Sequence, residues 1–114
     1  MESIDFSEKN LDNLSTVIDN LSSILSENGF YHFDKYLKKI EQTAKENNIQ
    51  GFKESIINNE LFGGAGAMWE IWIEDEKNQK AFEKCFCDFV DQVKSMGIDN
   101  GRVNQVREGF NLKW

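Results

Sequence analysis

Few side chains in this 114-residue chain are of types that perform chemistry, and their spacing limits what they can do. His32 is the sole histidine, and Cys85 and Cys87 are the sole cysteines. A Cys–His nucleophile needs a thiol beside the imidazole and a third group to orient it. His32 falls on the polar side of a predicted helix, away from Phe33, Leu37 and Ile40, where it would be an exposed and unsupported base. The two cysteines lie two positions apart in a helical stretch and point to nearly opposite faces, so no disulfide closes between them. Cys85 reads as a core residue and Cys87 as an outward one. One imidazole and two divergent thiols fall short of a four-ligand zinc set, and the carboxylates show no oxygen-ligand loop pattern. The expectation is no catalytic residue, no metal and no cofactor.

Gly63-Gly64-Ala65-Gly66-Ala67 invites comparison with a phosphate-binding loop, since backbone N–H groups freed by glycine can cradle anions at a helix start. No Lys-Ser or Lys-Thr follows Gly66, and the next charged residues are Glu70, Glu74, Asp75 and Glu76, which repel phosphate. A turn is the better reading. Just beyond it, Trp72 stands between Glu70 and Glu74, and an indole flanked by carboxylates suits a Lys- or Arg-rich surface. The competing reading packs Trp72 under a neighbouring loop. Glu70, Trp72, Glu74, Asp75 and Glu76, extended by Asp88 and Asp91 on the outer side of a later helix, form the candidate partner-binding set, unless those carboxylates are only solvated charge.

The elements that must position these residues are mainly helical. From Ser7 to Asn28, Leu11, Leu14, Val17, Ile18, Leu21, Ile24 and Leu25 recur at three- and four-residue steps, with Asp5 or Ser7 to cap the start and Asn28-Gly29 to stop it. A second helix is predicted over Phe30–Glu46, ending at Asn47-Asn48, and a less regular third over Ile49–Glu60 with Phe52, Ile56 and Ile57 inward. Met68–Glu74 reads two ways: Trp69, Ile71 and Ile73 alternate with Glu70, Trp72 and Glu74 at the period of a strand, while Met68, Ile71 and Trp72 also fit a helical face. The strand reading is favoured, with the alternating Phe110, Leu112 and Trp114 as its partner. Glu76–Met96 is a long helix whose broad face carries Ala81, Phe82, Cys85, Phe86, Phe89, Val90, Val93 and Met96, with Gly97 as its stop. The expected architecture is a mainly α single domain over 1–114, a compact bundle of four to five helices with room for a two-stranded β element at about 69–73 and 110–114.

Composition bounds the class. Two cores would each be too small at this length, and nine Phe, three Trp and two Tyr supply enough apolar surface for one. The opening MESIDFSEKN has no basic segment followed by an apolar run, and no stretch approaches the roughly 20 apolar residues of a membrane span, so neither a secretion signal nor a membrane partner is expected. Reduced thiols fit a cytoplasmic location. Thirteen Lys and Arg against twenty Asp and Glu leave a net charge of −7, which disfavours nucleic acid and attracts cationic surfaces; it also serves solubility alone.

The run Leu61-Phe62-Gly63-Gly64-Ala65-Gly66-Ala67-Met68-Trp69-Glu70-Ile71 resembles a small uncharacterised bacterial family with a Gly-Gly-Met-Gly-Ser signature, followed two residues later by Asp and an aliphatic residue. Ala65 stands in place of the Met, Ala67 of the Ser and Glu70 of the Asp. The resemblance implies a bacterial origin and a helical fold. In overall profile the chain is similar to the immunity proteins with which bacteria neutralise toxins: small, acidic, cofactor-free and cytosolic. That likeness implies a non-enzymatic role in which the acidic surface covers a basic toxin domain, such as a nuclease active site. A self-associating structural or regulatory module is the alternative, using helix one or the Phe-rich long helix as a seam.

Overall fold

The computed structural model describes residues 3–110. Helix α1 spans Glu8–Glu27, and its start is fixed by Ser7, whose hydroxyl accepts from the Asn10 N–H at 3.4 Å. Leu14, Ile18, Leu21 and Leu25 are buried along one stripe, with Leu11, Val17 and Ile24 half-buried against the same core. Gly29 takes the left-handed turn at φ 86° that ends the helix.

The predicted second helix begins later than its periodicity suggests. Phe30 still belongs to the exit of α1, its N–H bonded to the Leu25 carbonyl at 2.9 Å, and Tyr31–Phe33 is a single 3-10 turn. Helix α2 then runs Asp34–Lys45, burying Leu37, Ile40, Thr43 and Ala44. The Ser22 hydroxyl donates to the Asp34 carboxylate at 2.7 Å, tying the start of α2 to α1. Asn47, at φ 54°, lies in the turn that ends α2.

The predicted third helix divides in two, α3 at Ile49–Ile56 and a single turn, α4, at Asn59–Phe62. Asn58 leaves the helix to cap the next turn, accepting from the Leu61 N–H at 3.1 Å. Ile57, expected inward, is carried out with it and is 41% exposed.

Met68–Glu74 is not a strand. Met68–Glu70 forms a 3-10 turn, and 71–73 lies in no helix and pairs with no strand among the described residues. The alternation survives in burial, since Ile71 and Ile73 are buried while Glu70, Trp72 and Glu74 are exposed. What replaces the ladder is one amide side chain. Gln79 accepts from the Ile73 N–H at 2.7 Å and donates to the Ile71 carbonyl at 3.3 Å. Of the predicted partner, Phe110 lies in the turn that ends the last described helix, and 111–114 lie outside the described residues.

Helix α5, Glu76–Ser95, is capped by Asp75, whose carboxylate accepts from the Asn78 N–H at 2.9 Å. It lies antiparallel to α1. Asn78 near its start donates to the Asn28 side chain at 3.3 Å, and Gln92 near its end donates to the Asn10 carbonyl at 3.3 Å. Helix α6, Gly101–Glu108, was not anticipated from the sequence; Val103 and Val106 are its apolar contribution. It packs on α5 and reverses the predicted order of the cysteines, for Cys87 is 2% exposed and Cys85 only half-buried. Arg107 of α6 reaches over that flank to bond Asp91 at 2.8 Å.

Phe86 stands at the centre of the aromatic packing, with ring centroids 5.9, 5.9 and 5.7 Å from Phe62, Phe82 and Phe110. Those rings come from α4, α5 and the end of α6, so one side chain joins three elements. Phe86→Ala is expected to destabilise the fold by about 3–5 kcal/mol, read as a lower denaturant midpoint.

Candidate functional site

Because α1 and α5 are antiparallel, the end of α1 and the start of α5 lie at the same end of the molecule. The turn after α1, Phe30–Phe33, therefore meets the chain that leads into α5, Ala65–Trp72. Between them is a cleft of about 400 Å³, walled by Phe30, His32 and Phe33 on one side and by Ala65, Gly66, Ala67, Ile71 and Trp72 on the other, with Glu70 at its edge. A second cleft of about 360 Å³ opens beyond Trp72, lined by Glu74, Glu76, Gln79, Lys80 and Glu83. Trp72 borders both and is 73% exposed. Of the two readings the sequence left open for Trp72, the outward-facing one matches its position and the placement under a loop does not.

The cleft walls are held by hydrogen bonds that converge on the glycine loop. The Gly63 carbonyl accepts from the Trp69 indole at 2.6 Å and from Arg102 at 3.1 Å, while Arg102 also donates to the Phe62 carbonyl at 2.7 Å. The Arg102 guanidinium lies 5.4 Å from the centre of the Trp69 ring. Gly63 must be glycine because a Cβ would collide with the backbone of Asn59, 2.8 Å from its Cα. Gly66 is required differently, by its φ of 88°. On the other side of Trp72, the Gln79 amide that fixes 71–73 also donates to the buried Glu83 carboxylate at 3.0 Å.

Of the seven candidate residues, Glu70, Trp72, Glu74, Asp75 and Glu76 gather at this end and are exposed. Asp75 is engaged as the cap of α5, and Glu76 lies 3.3 Å from Lys80. Asp88 and Asp91 are elsewhere, twelve and fifteen residues along α5 from Glu76, about 18 and 22 Å at the helical rise. Each is already in an ion pair, Asp88 with Lys84 and Asp91 with Arg107, both at 2.8 Å. The sequence reading missed Phe30, His32 and the adjacent Tyr31, which is 68% exposed. The available signal was an exposed aromatic pair, Tyr31-His32, directly after a helix stop.

Among the described residues, no three His, Cys, Asp or Glu side chains gather as a metal-holding group, and no helix is long and apolar enough to cross a membrane. Burial pushes the Cys87 thiol up from its ordinary 9.0 to about 11. It is therefore protonated at neutral pH and shielded as well.

Two outcomes follow from these contacts. Gln79→Ala strands the Ile73 N–H and the Ile71 carbonyl, and is expected to cost about 1–3 kcal/mol and to accelerate amide hydrogen exchange at Ile73. The raised Cys87 thiol contributes stability that is complete below pH 9 and falls as pH rises towards 11, because the unfolded thiol ionises first. Cys87→Ala is expected to flatten that part of the stability–pH curve, measured by denaturation at each pH.

The chain matches no protein-family model, no curated protein and no solved structure, so its site stands on its own geometry.

Proposed function

We propose that this chain is a protein-binding domain whose Trp72-centred acidic end docks a basic partner, and that the partner is a bacterial toxin domain that it neutralises. The observation that carries the reading is an indole 73% exposed between exposed Glu70 and Glu74. A solvated tryptophan leaves a large apolar surface in water and is one of the side chains enriched at binding hot spots. Its carboxylate neighbours choose the sign of the partner, by attraction over about a Debye length and by the ring's own affinity for cations. The net charge of −7 steers encounter in the same sense. The immunity role is the specific form of this reading, resting on the likeness in size, acidity and simplicity described above.

The test is co-expression with the product of the adjacent gene, scoring rescue of growth and then binding of the purified pair. A basic toxin whose lethality the chain suppresses is expected, with affinity falling at raised salt. The double variant Trp72→Ala, Glu74→Lys is expected to weaken binding by about 100-fold or more while leaving the helical signal intact. Binding that ignores both salt and this variant would sink the reading.

A further inference from the structure

The first cleft has a different character from the acidic rim beside it. Phe30, His32 and Phe33 form one wall and Ala65, Gly66 and Ala67 line the other, so a groove exists because the residues opposite the aromatic rings are small. Gly66 is glycine for its backbone angle and faces open space, and Ala65 is exposed, so among the described residues no side chain fills the groove. Its volume of about 400 Å³ suits a large side chain, and lies at the lower end of the roughly 300–1,000 Å³ typical of small-ligand clefts. Across Trp72, the second cleft is lined by Glu74, Glu76 and the buried Glu83 against one cation, Lys80, which pairs with Glu76, so three carboxylates face a single positive charge.

We propose that this groove is a socket for one aromatic or large aliphatic side chain of the partner, and that a lysine or arginine close to it in the partner's chain crosses Trp72 into the acidic cleft. The proposal rests on the basic-partner reading and adds the chemistry of the contact: an apolar anchor seated beside a cation, on opposite sides of one indole. Charge complementarity selects the occupant. An acidic amphipathic segment would fill the groove equally well but would be repelled by Glu70 at this cleft and Glu74 at the next, and a neutral one would gain nothing from either. A purely cationic segment would pair with the rim and leave the apolar walls wet.

Two capped heptapeptides serve as probes, one with phenylalanine between glycines and paired lysines at each end, the other with serine in place of the phenylalanine. Isothermal titration is expected to show the phenylalanine peptide binding about tenfold more tightly. Ala65→Leu, at a position with an ordinary backbone angle, pushes an isobutyl group into the groove opposite Phe30 and Phe33 and is expected to abolish that advantage while leaving the serine peptide's affinity unchanged. Trp72→Ala, at an exposed position, is the second variant and is expected to weaken both peptides and close the gap. Equal, salt-sensitive binding of the two peptides would overturn the socket and leave the acidic face standing. A phenylalanine advantage that survives Ala65→Leu would overturn the socket by placing the apolar contact elsewhere, and failure of both peptides would overturn the socket and the basic-partner reading together.

Discussion

The antiparallel pairing of α1 and α5 is the constraint from which the rest of the molecule follows. Each helix is 20 residues, about 30 Å, and each buries one continuous apolar stripe against the other. Polar bonds at both ends of the pair, Asn28 to Asn78 and Asn10 to Gln92, are compatible only with this direction. Once α5 must start where α1 stops, the chain between them has to travel out through α2 and α3 and return to the same end. The return is the irregular segment 63–75. The clefts beside Trp72 are the geometric consequence, since a turn leaving one long helix faces the approach to the other.

An irregular segment next to a core must satisfy its backbone polar groups without a helix or a sheet. Here two long side chains do this from regular helices. Gln79, on the first turns of α5, supplies both a donor and an acceptor to 71–73, and Arg102, on α6, bonds the carbonyls of Phe62 and Gly63. Anchored from both sides, the segment holds Ile71 and Ile73 inward and is obliged to present Trp72 to solvent. The exposed tryptophan thus follows from the alternation of a segment whose Ile71 and Ile73 are needed in the core. The carboxylates follow the same logic: Glu70 and Glu74 take the remaining outward positions, while Asp75 is retained by the helix cap.

Local patterning was legible. The stripe on α1, its Ser7 cap and Gly29 stop, the Asn47 turn, the glycine loop, and the start of α5 at Asp75-Glu76 all follow from side-chain period and backbone preference, which depend only on near neighbours in the chain. The inside–outside alternation over 69–74 was equally legible, although its assignment to a strand was not correct. Period two reports an extended backbone, and it cannot say whether the hydrogen bonds go to another strand or to a glutamine eight residues away from the carbonyl it caps.

The sequence by itself determined the helical class and the placement of the long helices, because each is decided within a few residues; it left the outward position of Trp72 open between solvent and a covering loop, and the structure decided it. Only the tertiary structure decided the rest. The half-turn difference between Cys85 and Cys87 depends on where α6 lies, and an eight-residue helix with two buried valines leaves too faint a period to be seen in advance. Asp88 and Asp91 share a helix with Glu76 but not its surroundings, because helical rise carries them away and Lys84 and Arg107 reach them first. The groove itself joins Phe30 and Phe33 to Ala65 and Ala67, residues more than thirty positions apart, and proximity of that kind is set by how the two long helices pair, which no local pattern encodes.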